Sequence, residues 1–247
     1  MARELLARPT LQAARGLIGA HLVRDTGHGR RVGRIVEVEA YIGEDDLASH
    51  ARFGQTARNG VMFGPPGIAY VYLVYGMHEC LNVVTEPDGR AAAVLIRAVE
   101  VMDGEPAARA ARVAHALRRA RTPQARERAT TRLATMPVER LAAGPGLVAA
   151  AFDITRSETG VDLLERGGSL RLEPGRPGRH VTQTPRIGIG YAPEPWLALP
   201  WRFVDADSLA LSGPRPGRAT APAALEPAAP ELAAPKPAPR SPAPRAR

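Results

Sequence analysis

Two glutamates and a tyrosine alternate along one predicted strand in the first quarter of the chain. The stretch Arg31–Ile42 reads RVGRIVEVEAYI. Successive side chains of a strand point to opposite faces, so three polar residues share one face and three apolar residues share the other: Glu37, Glu39 and Tyr41 against Val36, Val38 and Ala40. A carboxylate so placed can deprotonate water or stabilise a developing cation. An edge strand with a solvated face gives the same pattern, and spacing alone leaves both interpretations open.

Tyrosines cluster on a second predicted strand, Ala69–Gly76. The chain has five tyrosines; Tyr70 and Tyr72 share a face of this strand, and Tyr75 falls at its end beside Gly76. Aromatic rings stack on the faces of nucleobases, which makes such a cluster suitable for holding a base outside a duplex. An ordinary aromatic core is the alternative.

The loop between these strands contains residue types that contact phosphates: Gln55, Thr56, Arg58 and Asn59. An ordinary polar loop would have the same composition. A metal site could combine Asp45 or Asp46 with His50, His78 and Cys80, but no CxxC, HExxH or comparable spacing supports one. We therefore predict no metal.

Short strands alternate with helices along the rest of the chain. We predict strands at CLNVV, AAAVLIRAVE, RIGIGYA and WRFV, and helices at Glu4–Ile18, Glu105–Arg132 (broken at Pro123) and Gly144–Ile154. Runs of strands with helices set apart predict one α+β domain, with helices flanking a curved, largely antiparallel sheet. The predicted domain covers residues 1–211.

The chain is strongly basic, with a formal net charge of +8 among 247 residues. Such a charge favours a polyanionic partner. About half of it lies in a Pro/Ala-rich tail, residues 212–247, which has six basic and two acidic residues. The tail lacks aromatic residues, so we expect it to be disordered, either as a weak DNA tether or as a neutral extension. The arginines of Arg109–Arg132 fit a phosphate-facing helix or a solvated face.

No apolar stretch is long enough to span a membrane, and the first residues do not resemble a signal peptide. The single cysteine, Cys80, rules out an intrachain disulfide. We expect a monomer without membrane association, located in the cytoplasm and, in a bacterium, at the nucleoid.

A long ordered block resembles the alkyladenine (3-methyladenine) DNA glycosylases. The block runs from Gly33 to Glu100, and weaker matches at GPG, FDI, RIGIGYA and WRF extend it over Leu5–Val204. The resemblance implies a base-excision-repair enzyme that flips a damaged purine out of double-stranded DNA and hydrolyses its N-glycosidic bond without a cofactor. The family fold is a single α+β domain, as the pattern of elements predicts.

The resemblance also implies roles for individual residues. Glu39 corresponds to the general base that activates water, and Arg97 to a catalytic residue beside the flipped nucleotide, with Leu95 on the same side of its strand. Three residues correspond to walls that stack on the base and one to a selectivity residue: Tyr41, His50, Tyr72 and Asn82. Tyr75 corresponds to the wedge that fills the vacated space in the duplex. Thr56 and Arg58 are candidate backbone contacts, whereas Leu147 stands where relatives have a basic residue.

Lysine content bears on the mechanism. Lys236, in the tail, is the only lysine in the chain. Glycosylases that also cut the DNA strand form a Schiff base with an amine, usually a lysine. We therefore predict that water is the nucleophile and that strand cleavage is absent. A non-catalytic nucleic-acid-binding module and a metal-dependent nuclease are the competing functions.

Overall fold

The computed structural model describes residues 1–213. Residues 214–247, almost all of the predicted tail, lie outside the described part of the chain. Ser212 and Gly213, at the predicted start of the tail, are described. No helix within residues 1–213 combines the length and the hydrophobicity needed to cross a membrane.

Eight strands of the described chain form one antiparallel sheet. Its main order is β3-β4-β5-β2-β1-β6, and β8 pairs with both β2 and β7. The strands are β1 (His21–Thr26), β2 (Gly29–Ile42), β3 (Ala69–Val74), β4 (His78–Val84), β5 (Ala92–Asp103), β6 (Leu170–Glu173), β7 (Val181–Thr184) and β8 (Arg202–Asp205). The prediction of an α+β domain around an antiparallel sheet is confirmed.

The long strand β2 lies inside the sheet. It pairs with β5 along most of its length, with β1 through its first half, and with β8 at Glu37–Glu39. The solvated-edge interpretation of Glu37 and Glu39 is therefore wrong, since both side chains are 0% exposed. Alternation reports which residues share a face, but it does not report whether that face is covered.

Five helices flank the sheet in the described chain: α1 (Arg3–Leu6), α2 (Thr10–Leu17), α3 (Glu105–Leu117), α4 (Pro123–Ala134) and α5 (Pro145–Phe152). The predicted helix Glu4–Ile18 is two helices, because Pro9 at the N-cap of α2 starts a new one. The predicted break at Pro123 is confirmed: Pro123 opens α4, and the Thr122 side chain caps it by accepting from the Ala125 amide.

The C-terminal part of the chain departs from the sequence prediction. RIGIGYA (residues 186–192) is a loop and not a strand, and β7 precedes it at Val181–Thr184. Its alternating apolar residues resemble a strand pattern, but Gly188 has a φ of 82°, which interrupts extended backbone. The predicted strand at WRFV is confirmed as β8. Strands β1 and β6 were not predicted.

The main core lies between the sheet and helices α2 and α5. Val148 and Phe152 of α5 are buried there with Ile96 of β5 and Val38 of β2. Gly33 of β2 permits close packing, because a Cβ at this position would lie 2.8 Å from the Phe152 ring and even closer to Val99. The glycine is thus required by space and not by its backbone angles.

Replacing Gly33 by alanine should lower the free energy of unfolding by about 1–3 kcal/mol, because the added methyl overpacks the contact with Phe152. Urea denaturation would measure the loss. Gly190→Ala is the matched control, since a Cβ there meets no atom within 4 Å. Equal stability of Gly33→Ala and the wild type would contradict this account of the packing.

Candidate active site

The carboxylate of Glu39 lies fully buried in the middle of β2. Its Oε1 accepts a hydrogen bond of 2.7 Å from the Ile187 amide, and its Oε2 accepts one of 3.0 Å from the Tyr41 hydroxyl. Arg97 Nη1 lies 3.2 Å from Oε2. Burial raises the pKa of Glu39, and Arg97, the Ile187 amide and Tyr41 offset this rise only in part. Glu39 is thus a carboxylate held ready to accept a proton.

Glu37, two residues earlier on β2, is held in a different environment. Its Oε1 accepts hydrogen bonds from Arg97 Nε at 2.9 Å and Arg202 Nε at 2.8 Å. Ser212 adds bonds from both its amide and its hydroxyl. Burial favours a higher pKa, but Arg202 and Ser212 outweigh it and hold the pKa of Glu37 below its ordinary value. Glu37 therefore remains ionised and is committed to its partners.

Arg97 joins the two carboxylates. It comes from β5, which pairs with β2 so that Leu95 lies opposite Glu39. The guanidinium contacts Glu37 through Nε and Glu39 through Nη1, and its side chain together with Leu95 lines the adjoining cleft. Both residues therefore lie on the cleft side of β5, as the sequence predicts.

Aromatic residues surround the space next to Glu39. His50 Nδ1 is hydrogen-bonded to the Tyr70 hydroxyl at 3.1 Å, and the His50 ring meets Tyr72 edge-on with centroids 4.4 Å apart. Burial, together with Arg58 and Arg52, lowers the pKa of His50 to about 4. The imidazole is therefore neutral near pH 7.

A cleft of about 700 Å³ opens beside these rings and has the size of a small-molecule site. Tyr41, His50, Tyr72, Arg97 and Ile187 all contribute to its lining. A smaller enclosed pocket of about 40 Å³ adjoins it behind His50 and Tyr72. Glu39 is not in the cleft lining and lies directly beneath Tyr41, Arg97 and Ile187, with which it is hydrogen-bonded or ion-paired.

Asn82 of β4 lines the smaller pocket. Its side-chain nitrogen donates to the Tyr70 carbonyl at 3.0 Å and to the Cys80 carbonyl at 3.3 Å. These two bonds fix the amide plane and leave its oxygen as the atom available to a ligand. The structure thus brings all four predicted base-binding residues around adjoining spaces.

Tyr75 lies at the tip of the β3–β4 hairpin. Its side chain is 85% exposed and its φ is +51°, followed by Gly76 at +65°. Tyr75 and Gly76 are the central residues of a β-turn closed by a hydrogen bond from the Met77 amide to the Val74 carbonyl, within a three-residue connection between Val74 and His78. Asparagine or glycine normally occupies the first of two such positive-φ positions. The turn directs a large ring away from the protein at the rim of the cleft.

The two candidate backbone contacts lie in the exposed loop before β3. Thr56 is hydrogen-bonded to the buried Asn59 side chain through its amide and its hydroxyl. Arg58 donates to the Leu73 carbonyl at 3.3 Å, and its guanidinium lies 5.9 Å from the centre of the Tyr72 ring. Arg58 and Leu147 both line the cleft. The cleft therefore has a cation at Arg58 and an apolar side chain at Leu147, where relatives have a basic residue.

The arginines of the segment Arg109–Arg132 divide into two groups. Arg109 donates to the carbonyls of Leu133 and Met136, and the buried Arg112 donates to the carbonyl of Leu141. The others are exposed: Arg118, Arg119, Arg121, Arg126, Arg128 and Arg132. Neither a phosphate-facing helix nor a solvated face describes every arginine of this segment, because Arg109 and Arg112 donate to backbone carbonyls within the protein.

The loop at residues 186–191 supplies contacts that the sequence did not reveal. Arg186 is fully buried, forms two hydrogen bonds with Asp46, and lies over the rings of Tyr41 and Trp201. This anchor holds the adjacent Ile187 amide against Glu39. Tyr191, the fifth tyrosine, lines both the cleft and the pocket. In the sequence, the signal for this loop was an arginine followed by alternating apolar residues and glycines.

Two of the residues considered for a metal site are bound to other side chains, and a third holds its proton more tightly than usual. Asp46 is bound to Arg186, His50 to Tyr70, and burial raises the pKa of the Cys80 thiol to about 12. Within residues 1–213, no three histidine, cysteine or acidic side chains come together in a way that could hold a metal ion.

Comparison with known proteins identifies the family to which this chain belongs. Residues 4–209 match the family described as methylpurine-DNA glycosylase (MPG). The chain belongs to the methylpurine-DNA glycosylase family. The resemblance in the sequence is confirmed, and the protein is a DNA glycosylase, a hydrolase of N-glycosyl bonds.

Relatives of this glycosylase cover nearly all of the described chain. A protein of Methanocella arvoryzae is 47% identical over 87% of this chain and 96% of its own length. One of Myxococcus xanthus is 46% identical over 86% and 93%, and one of Streptomyces avermitilis is 42% identical over 84% and 88%. All three carry the provisional name 3-methyladenine DNA glycosylase.

The raised pKa of Glu39 predicts a pH dependence for this glycosylase. A general base acts only when it is deprotonated, so a role of Glu39 as general base requires excision to rise with pH through the pKa of Glu39. The midpoint should lie above the ordinary glutamate value of about 4.3. Single-turnover excision rates between pH 4 and 8 would measure it. A midpoint at or below the ordinary value would contradict the balance of burial and charge described for Glu39.

Proposed function

We propose that this glycosylase flips alkylated or deaminated purines, of the 3-methyladenine, hypoxanthine and ethenoadenine class, out of double-stranded DNA. It hydrolyses their N-glycosidic bond with a water activated by Glu39 and leaves an abasic site. The observation that carries this proposal is a buried carboxylate of raised pKa, paired with Arg97 beneath an aromatic cleft. We further propose that the enzyme acts as a monomer in the cytoplasm and, in a bacterium, at the nucleoid.

The aromatic lining suits a cationic base. Tyr41, Tyr72 and His50 present rings to the cleft, and a desolvated cation over such rings gains about 2 kcal/mol. The depressed pKa of His50 keeps its imidazole neutral near pH 7, so it does not repel a positively charged alkylated purine. A protonated histidine at this position would oppose the same ligand. The oxygen of Asn82 can accept from, or exclude, a group on the purine edge.

The chemistry follows from the positions of Glu39, Arg97 and Ile187. The bond from the sugar to the purine breaks heterolytically, so positive charge develops on the sugar, as in glycoside hydrolysis. Water attacks the sugar carbon and loses its proton to Glu39, while the base departs with the bonding electrons. We place this water where Arg97 and Ile187 meet at the cleft, since both contact Glu39 and both line the cleft.

Glu39→Gln should abolish base excision while lesion binding remains, because stacking and insertion do not need a carboxylate. A glutamine retains the shape but cannot accept the proton of water. Removing a general base costs about 100- to 10,000-fold in rate. Single-turnover excision and gel-shift binding on one modified-purine duplex would separate the two effects.

Glu173→Gln is the matched control, since Glu173 pairs with Arg171 on β6, at the opposite edge of the sheet from β3. Wild-type excision by Glu39→Gln would refute the assignment of the base. Excision lost equally in Glu173→Gln would point to general destabilisation.

Tyr75→Ser should weaken lesion binding and reduce the flipped population about 10- to 100-fold. Stacking of an aromatic side chain against a base contributes about 1–3 kcal/mol, and the wedge replaces stacking that flipping removes. Fluorescence of ethenoadenine in duplex DNA would report flipping directly. The loss should shrink for a lesion in a bulge, where less pairing is broken. Equal flipping by mutant and wild type on paired duplex would leave Tyr75 without this role.

The competing mechanisms give opposite results with two reagents. EDTA should leave excision intact, whereas a loss restored by zinc or magnesium would favour the metal-dependent nuclease. Borohydride should trap no covalent adduct with DNA, because residues 1–213, which contain the cleft, include no lysine. An adduct would identify an amine nucleophile and refute the attack by water. Lesion binding without any excision would favour a non-catalytic binding module.

A further inference from the structure

The side of Arg97 away from Glu39 is occupied by a buried polar cluster that the chemistry above does not use. Glu37 lies at its centre, 0% exposed, and accepts from Arg97, Arg202 and Ser212. Glu37, Arg202 and Ser212 do not line the cleft. Their effect on a substrate must therefore pass through Arg97.

The cluster fixes Arg97 at two ends. Its Nε is bound to Glu37, and its Nη1 faces Glu39. A guanidinium is a rigid planar fork, so holding one end sets the direction of the other. Without Glu37, nothing in the described contacts would fix Arg97 from behind, apart from weaker bonds to Ser212 and the Ile187 carbonyl.

Ser212 completes the cluster. Its amide donates to Glu37 Oε2 and its hydroxyl to Oε1, both at 2.6 Å. The same hydroxyl oxygen lies 3.1 Å from Arg97 Nη2. One serine thus binds both oxygens of the carboxylate and also accepts from the arginine that the carboxylate holds.

We propose that Ser212 is a positioning residue, which locks Glu37 and thereby aims Arg97 at Glu39 and at the reacting sugar. The inference rests on the proposed role of Glu39. It assigns to the segment after β8, beyond the residues that match the family, a part in the reaction. Ala210 and Leu211 pack with Val36, Ala98 and Val204 in a small separate core, and this packing holds Ser212 in place.

A shift of Arg97 would change the environment of Glu39 in a predictable direction. Other ionisable groups act on Glu39 from several elements: Tyr41 and Glu37 on β2, Tyr72 on β3 and Cys80 on β4. Arg186 acts on Tyr41, and Arg202 of β8 acts on Glu37. Arg97 is the cation paired with Glu39. Weakening that pair should raise the pKa of Glu39 further.

The test compares serine variants in the full chain. Ser212→Ala should reduce the single-turnover excision rate about tenfold or more, which is the range for losing a hydrogen bond to a charged group. Its pH profile should move to higher pH, and lesion affinity should stay within about twofold of the wild type. Ser212→Thr keeps the hydroxyl and should restore both the rate and the profile.

Ser208→Ala is the matched control. Ser208 is buried in the same segment, but its hydroxyl accepts only from the Ala210 amide. It should leave the pH profile unchanged. A pH profile of Ser212→Ala that superimposes on the wild-type profile would overturn the proposal.

If Ser212→Ala does not fold, Glu37→Gln decides the question, since it keeps the shape of the side chain. The proposal requires at least a tenfold loss of excision with lesion binding retained, and wild-type excision would refute it. Glu39→Gln, assayed in parallel, separates a failure of this inference from a failure of the proposed function. If Glu39→Gln is inactive and Ser212→Ala is normal, only this inference fails; if Glu39→Gln is active, the proposed function fails as well.

Discussion

The burial of two carboxylates in the middle of one strand is the constraint on which the rest of the site depends. An unpaired buried charge is very unfavourable, so each carboxylate needs a cation or several donors nearby. Arg97 reaches β2 from β5 on one side, and Arg202 reaches it from β8 on the other. Loss of β5 would leave Glu39 without a cation, and loss of β8 would leave Glu37 with Arg97 as its one cation among the described residues.

The two carboxylates differ because their neighbours differ, although they are only two residues apart. Glu37 has two arginines and both donors of Ser212, so it is ionised and structurally committed. Glu39 shares one of those arginines and otherwise accepts from an amide and a phenol, so its pKa is raised. Pairs of titratable groups whose environments separate their pKa values are a common arrangement for acid–base chemistry. Here Glu37 is held ionised by its arginines and Ser212, whereas Glu39 has a raised pKa and takes up a proton more readily.

Local patterns predicted the parts of the site that lie on regular strands. The run from Gly33 to Glu100 covers β3, β4 and most of β2 and β5, and its motifs supplied both the family and most of the predicted residues around the cleft. Long-range contacts escaped prediction. Ile187 acts through its backbone amide, which carries no residue signature, and Ser212 acts through both its amide and its hydroxyl. Each meets β2 from about 150 residues or more away in the sequence. RIGIGYA alternates as a strand does, but the buried ion pair between Arg186 and Asp46 holds it as a loop.

The hairpin of β3 and β4 connects the cleft to the surface that would meet DNA. Its register pairs Tyr70 with Asn82 and Tyr72 with Cys80, which places the pocket residues side by side. The three-residue connection of Tyr75, Gly76 and Met77 fixes that register, since a slip by one residue would turn each side chain to the other face. Tyr75 occupies the turn at a positive φ that costs a non-glycine residue about 1–2 kcal/mol. The strain is tolerable because the paired strands hold the turn. One hairpin therefore carries both the exposed ring proposed to fill a gap in the duplex and Tyr72, which lines the cleft proposed to receive the flipped base.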